Sequence, residues 1–287
     1  MRTFKFHYFN NYSINSLEKN SAWFSYPINF NDPFEGLCII KQNSESIQKL
    51  RNLYHHLLER RTEILESTPA HHIFEMLQLI MSSSLSENDI RICFEYLISY
   101  FEKSAFDLKS AFQKQMGVYC LIKESDPELS PVNNNLMWGH YGDGLRGFSI
   151  SFKDDQIFDS TYGDTLGHLD VEYIESPLNI CPSDIIASSI NFDKINIKHV
   201  PTALIPSFIT KHRHWSYENE RRFINTKGGD TMIKFKPGAI DRLYIIGEKM
   251  PRENINKLLS AASIIDMNDI YVCSVSKNSF SIDITPF

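Results

Sequence analysis

The stretch 137–152, MWGHYGDGLRGFSISF, decides the fold class, because its periodicity changes in the middle. Trp138 and Tyr141 fall on one face of a helix, so Asn135–Asp143 is expected to be a short helix. Gly147–Phe152 instead alternates Phe148, Ile150 and Phe152 with Ser149 and Ser151, the two-residue period of a strand. Gly144 and Gly147 allow the tight turning and close backbone approach that such a switch needs.

The same alternation recurs on both sides. Towards the N-terminus, Arg2–Phe9 reads as a strand, Ser13 as the cap of a short helix to Asn20, and Ala22–Tyr26 as a second strand. Leu37–Ile40 is a short apolar run, and Val118–Ile122 is a candidate buried strand. Towards the C-terminus, Asp170–Ile174, Arg221–Asn225, Met232–Phe235, Arg242–Ile246, Ile270–Ser274 and Phe280–Ile284 read as strands. Asp184–Ile209 and Arg252–Ala262 read as helical. Between Ser44 and about Gln115 the period is helical throughout, with stripes Ile47–Leu50–Tyr54–Leu57–Leu58, Ile73–Phe74–Leu77–Ile80 and Ile90–Cys93–Phe94–Leu97–Phe101–Leu108–Phe112. Ser86 and Asp89 mark a start for the last helix. The expected fold is therefore α+β: a single domain over 1–287 interrupted by a helical insertion at about 43–115.

The chain is 42% hydrophobic and 22% charged, with 20 Phe and 13 Tyr, ample material for a sizeable core. A formal net charge of −6 argues against general nucleic-acid binding, although Lys211, Arg213, Arg221 and Arg222 cluster with His212 and His214. Five cysteines (Cys38, Cys93, Cys120, Cys181, Cys273) are widely spread without metal-ligand spacing, so no metal is expected. The N-terminus lacks an apolar leader and no apolar run reaches the ~18–20 residues of a membrane span. A cytoplasmic location without membrane contact is the expectation.

Three constellations carry chemistry-bearing residues. Asn31-Asp32-Pro33-Phe34-Glu35 is either a rigid turn pinned by Phe34 or a loop holding an acid at a cleft edge. Trp138 and Tyr141 are either core or a ligand platform. Trp215-Ser216-Tyr217-Glu218-Asn219-Glu220-Arg221-Arg222, if extended, places Glu218 and Glu220 on one face, either as a surface salt-bridge strand or as a pair of working carboxylates.

Together these motifs resemble a bacterial family of unknown function, whose members carry NDPFE, MW-x-x-Y…G and W-x-YE-x-E-R segments. Here they stand as FSYPINFNDPFE, MWGHYGDGLRGFSISF and KHRHWSYENERRF. The order of elements is also similar, more distantly, to ADP-ribosyltransferases of the toxin and PARP-like superfamily. That resemblance implies a mixed, mostly antiparallel split sheet and NAD as a substrate. It implies Glu220, Glu218 and Tyr141 as catalytic residues. Contacts to NAD would come from His7, Tyr8, Ser25, Tyr26, Asn31, Arg213 and Trp215. No clean Ser-Thr-Ser strand is present, and Phe24-Ser25-Tyr26 is a loose substitute.

The expected function is thus an NAD-dependent ADP-ribosyltransferase-like enzyme. The resemblance makes it a bacterial toxin or anti-phage defence effector acting on a protein or nucleic acid and restrained by an antitoxin. Two rivals stand beside it. One is a metal-independent nuclease using His140, His212 or His214 with Lys211 and Arg213. The other is a non-catalytic binding or accessory module in which the motifs are structural.

Overall fold

The computed structural model describes residues 2–41, 46–59, 113–114, 116–125, 130–153, 157–162, 166–191, 196–197 and 202–287, with isolated positions 75, 77, 78, 86, 88 and 92. In chain order its regular elements begin with β1 (Thr3–His7), α1 (Asn11–Glu18), β2 (Ser21–Phe24), β3 (Cys38–Ile40) and α2 (Ser46–Glu59). Next come β4 (Gly117–Lys123), α3 (Asn135–Tyr141), β5 (Phe148–Phe152), β6 (Leu166–Asp170), β7 (Glu172–Ile174), β8 (Leu178–Ile180) and α4 (Pro182–Ser189). Then follow β9 (Ile190–Asn191), β10 (Asn196–Ile197), β11 (Thr210–His212), β12 (Glu220–Asn225), β13 (Thr231–Lys234) and β14 (Ile240–Ile246). The chain closes with α5 (Arg252–Ile264), β15 (Ile270–Val275) and β16 (Ile282–Pro286). The fold class is α+β, as the change of period at 137–152 requires.

Two compact units are present: 1–30 with 114–173 and 213–287, and 31–113 with 174–212. The first is built on one eight-stranded sheet, ordered β16-β15-β14-β5-β1-β4-β12-β6. Every pairing is antiparallel except β14 with β15, which α5 connects. Parallel neighbours need such a crossover, because a tight hairpin cannot reverse the chain twice.

Strand alternation gives this sheet two buried faces. Tyr119, Leu121, Phe148, Ile150, Phe152, Phe223, Leu243 and Ile245 form the first, covered by Leu17 of α1, Phe24 and Ile233 of the β2–β13 pair, and Leu258, Ala261 and Ala262 of α5. Phe4, Phe6, Ile122, Tyr244, Ile246 and Cys273 form the second, covered by Val132 and by Met137 and Trp138 of α3. The Trp138 ring packs edge-on against Phe6, and its indole Nε1 donates to the Val132 carbonyl at 2.7 Å. An indole N–H buried without an acceptor would be costly, so this bond is what lets Trp138 be fully buried.

The cap of α1 is Asn10 rather than Ser13. Asn10 Oδ1 accepts from the Ser13 amide, and Ser13 Oγ, at the third helical position, accepts in turn from the Asn10 amide. This reciprocal box satisfies two donors that would otherwise be orphaned at the helix start.

In the second unit, β3 and β8 pair in parallel and β9 pairs with β10 antiparallel. The Lys49 ammonium on α2 bridges Asp184 on α4 at 3.0 Å. The helical pattern expected over about 43–115 is described chiefly in α2; the two later stripes and the Ser86–Asp89 start signal fall mostly outside the described residues. Among the described side chains of α2, Leu53 is buried, while Leu58, expected on the apolar stripe, is 41% exposed.

Candidate functional site

The W-x-YE-x-E-R segment is not extended along its length. Arg213–Glu218 forms a 3-10 turn, Asn219 takes a left-handed backbone (φ 40°), and β12 begins only at Glu220. Asn219 explains the break. Its side-chain amide donates to the Lys123 carbonyl (2.9 Å) and to Ser125 Oγ (2.8 Å), while its own carbonyl accepts from the Lys123 amide. Short polar side chains tolerate this backbone by bonding locally. Glu218 and Glu220 are therefore not a same-face pair on one strand, although both are buried.

Glu220 stands opposite Ile122, and Arg222 opposite Cys120, which places both on the second face of the sheet. Arg222 Nε lies 2.9 Å from Glu220 Oε1, and Nη2 lies 3.4 Å from Oε2. Both residues are interior, at 3% and 1% exposure. The guanidinium also lies 5.5 Å from the Phe30 ring. A two-point fork of this kind fixes the orientation of the carboxylate. The backbone of Glu220 is held too, its amide donating to Tyr173 Oη at 2.8 Å and its carbonyl accepting from the Val171 amide.

Glu218, at the end of the 3-10 turn, accepts a hydrogen bond from the Tyr141 hydroxyl on α3. Of the helix-face pair, Trp138 is thus core and Tyr141 reaches into the site. Around it, His140 stacks against Tyr217 with ring centres 6.0 Å apart, and Trp215 lies 6.2 Å from Tyr217. Tyr8 Oη donates to the His140 carbonyl at 2.7 Å. Tyr141, Glu218, Tyr8 and Trp215 are in this way linked through α3 and the 3-10 turn.

The other sequence candidates lie on several different elements. His7 pairs with Phe148 on the first face and stacks on its ring at 4.9 Å, so strand alternation turns it away from the face of Glu220. Desolvation, with the neighbouring Lys5 charge adding to it, holds its imidazole down to about 3. Ser25 makes a backbone bridge to Val118, and Tyr26 packs closely on Gly229. Arg213 is exposed at the start of the 3-10 turn, and Asn31 is exposed in the second unit.

In the NDPFE turn Asp32 Oδ1 accepts from the Phe34 amide at 2.9 Å, the side-chain turn expected of Asp before Pro. Its burial runs opposite to expectation, however: Phe34 is 63% exposed, whereas Asp32 and Glu35 are buried. The basic cluster is likewise not a surface patch. Arg222 and Lys211 are buried, and Arg221 is engaged by Asp170, its register partner on β6, at 2.6 Å. Sequence inspection missed Tyr173, Lys123 and Asp170 as supports, since only the folded chain brings them to this segment.

Residues 137–223 match the model of a family described as "Protein of unknown function (DUF2971)". The match contains the MW-x-x-Y and W-x-YE-x-E-R segments, the two that meet through Tyr141 and Glu218. No curated protein and no solved structure matches the chain. Among the described residues no group of His, Cys, Asp and Glu could hold a metal ion, and no helix is long and apolar enough to cross a membrane.

Proposed function

We propose that the chain is an ADP-ribosyltransferase-like enzyme using NAD as substrate, with its chemistry centred on Tyr141, Glu218 and Glu220. The observation that carries this reading is the hydrogen bond from Tyr141 to Glu218, which joins a tyrosine-bearing helix to the first acid of an E-x-E motif 77 residues away. In the reaction the bond between ribose C1′ and the nicotinamide nitrogen breaks, and nicotinamide leaves with the bonding pair. An acceptor nucleophile forms the new bond to C1′ and gives up its proton. Positive charge builds on the ribose as in glycoside cleavage, and a fixed carboxylate stabilises it. Glu220, oriented by Arg222, takes that role, and Glu218, steered by Tyr141, receives the acceptor proton. The aromatic group Tyr217, His140 and Trp215 offers stacking surface for nicotinamide. A toxin or defence setting, with a protein or nucleic-acid acceptor and a neutralising partner, fits this chemistry.

The test is nicotinamide release from NAD, with cell extract as acceptor, by the wild type and by Tyr141→Phe and Glu218→Gln. Release by the wild type that falls at least tenfold in both variants, with unchanged circular dichroism, supports the reading. No release by the wild type, or full release by Glu218→Gln, overturns it.

One observation favours a second reading, a non-catalytic binding or accessory module. Glu220 and Arg222 close on one another in the interior, as a purely structural clamp would. Glu220→Gln would then destabilise by about 3–5 kcal/mol, the usual cost of stranding one partner of a buried pair. Under that reading no variant alters NAD.

A further inference from the structure

At the end of the sheet where β1 starts, β5 finishes and β14 starts, three cations converge on one buried acid. The Asp241 carboxylate is 1% exposed, with Arg2 Nε 2.8 Å from Oδ2, Lys153 Nζ 2.9 Å from Oδ1 and Arg242 Nε 3.7 Å from Oδ2. Burial works to raise the Asp241 pKa, and the bond from Arg2 with the nearby Lys153 ammonium outweighs it, so the group is held below its ordinary value. One carboxylate balances one of the three charges. Among the described residues Asp241 is the one acid within ion-pair distance of any of them. Asp154 and Asp155, which follow Lys153, lie outside the described residues.

The surplus is reachable and oriented. The side chains of Arg2, Arg242 and Lys153 are 32%, 31% and 69% exposed. The Arg242 guanidinium lies 5.2 Å from the Tyr271 ring, which itself stacks on Tyr244. Arg242 Nε is buried without a hydrogen-bond acceptor. Asp241 takes one N–H from Arg2, leaving that guanidinium's remaining donors, and most of those of the Lys153 ammonium, for another acceptor.

We propose that Arg2, Lys153 and Arg242 form a binding site for a phosphate-bearing ligand, separate from the Tyr141–Glu218 site. Planar guanidinium forks and a compact ammonium around one point match a multiply charged oxyanion better than a monovalent carboxylate. Asp241 holds the three cations together without neutralising them. The site does not depend on the transferase reading, and its test involves no turnover.

The experiment is titration of the full chain with pyrophosphate, inorganic phosphate and acetate, followed calorimetrically at fixed ionic strength. It is repeated for Lys153→Gln, Arg242→Gln and Lys249→Gln, the last an exposed lysine outside the cluster. Expected is saturable binding of pyrophosphate, tighter than phosphate, with acetate not binding. Lys153→Gln should weaken it roughly tenfold, the loss of one charge-assisted bond, and Lys249→Gln should leave it unchanged. Lys153→Gln keeps the test interpretable even if Arg242→Gln fails to fold, because Lys153 is mostly exposed. Absence of saturable binding, equal binding of acetate, or equal weakening by Lys153→Gln and Lys249→Gln overturns the proposal.

Discussion

Asn219 shows how one residue fixes the position of two acids. Its left-handed backbone lets the chain leave the 3-10 turn with Glu218 facing Tyr141 and enter β12 with Glu220 facing Arg222. Two effects can be separated by substitution. Asn219→Gly keeps the backbone unstrained but loses the bonds to the Lys123 carbonyl and Ser125, at a cost of about 1 kcal/mol. Asn219→Ala loses the same bonds and adds the strain of a left-handed alanine, about 1–2 kcal/mol more. Denaturant unfolding of the three proteins should therefore rank Asn, then Gly, then Ala. Equal stability of the Gly and Ala variants would show that the backbone does not hold the left-handed conformation.

At the scale of elements, the change from helix to strand at 137–152 was readable because Trp138 and Tyr141 share a helix face whereas the apolar residues of β5 alternate with small serines, even though both faces of that strand are buried. Its ends were not readable from periodicity. The loop from Asp143 to Leu145 takes three successive left-handed residues (φ 52°, 59° and 71°), of which only Gly144 is a residue that sequence flags. Gly147 did signal close approach: an added Cβ there would stand 2.0 Å from the His7 carbonyl oxygen. Gly147→Ala must therefore push β1 and the start of β5 apart, and both are central in the sheet. We expect a loss of about 3 kcal/mol or more, or failure to fold, against under 1 kcal/mol for alanine at Gly167, which has open space around it. The conditional reading of the E-x-E pair as extended fails for a related reason. Alternating charge and polarity imitates strand period, and only the Asn219 bonds to a residue 96 positions away reveal the break. Tyr141, the two acids and Arg222, two residues from Glu220 on the same strand face, were legible within the motif; the half-buried partner Tyr173 is brought there by tertiary structure, which a single sequence does not express.

Across the whole molecule, the groups with displaced protonation should shape stability into a dome over pH. His7, lowered from 6.5 to about 3 first by desolvation and then by Lys5, is neutral in the folded chain while the unfolded chain protonates below 6.5. Stability should therefore be full above 6.5 and fall as pH drops from there towards 3. Asp170, lowered to about 2 chiefly by its bond with Arg221 and further by Lys123, adds stability that is present above about 4 and lost between 4 and 2. That contribution is small, because the carboxylate is 42% exposed and solvent screens it. On the other limb, burial raises the Cys273 thiol to about 12 from 9.0, so stability should fall as pH climbs from 9 towards 12 and the unfolded thiol ionises. The discriminating comparison is the melting temperature of the wild type and of His7→Gln from pH 8 down to 4. The wild type should lose several degrees beginning near 6.5, whereas the variant, with no imidazole to protonate, should stay level until carboxylates begin to titrate near 4. Parallel profiles would mean that the ring stacked on Phe148 accepts a proton in the folded state. The first face of the sheet would then tolerate a charge that its apolar packing is argued to exclude.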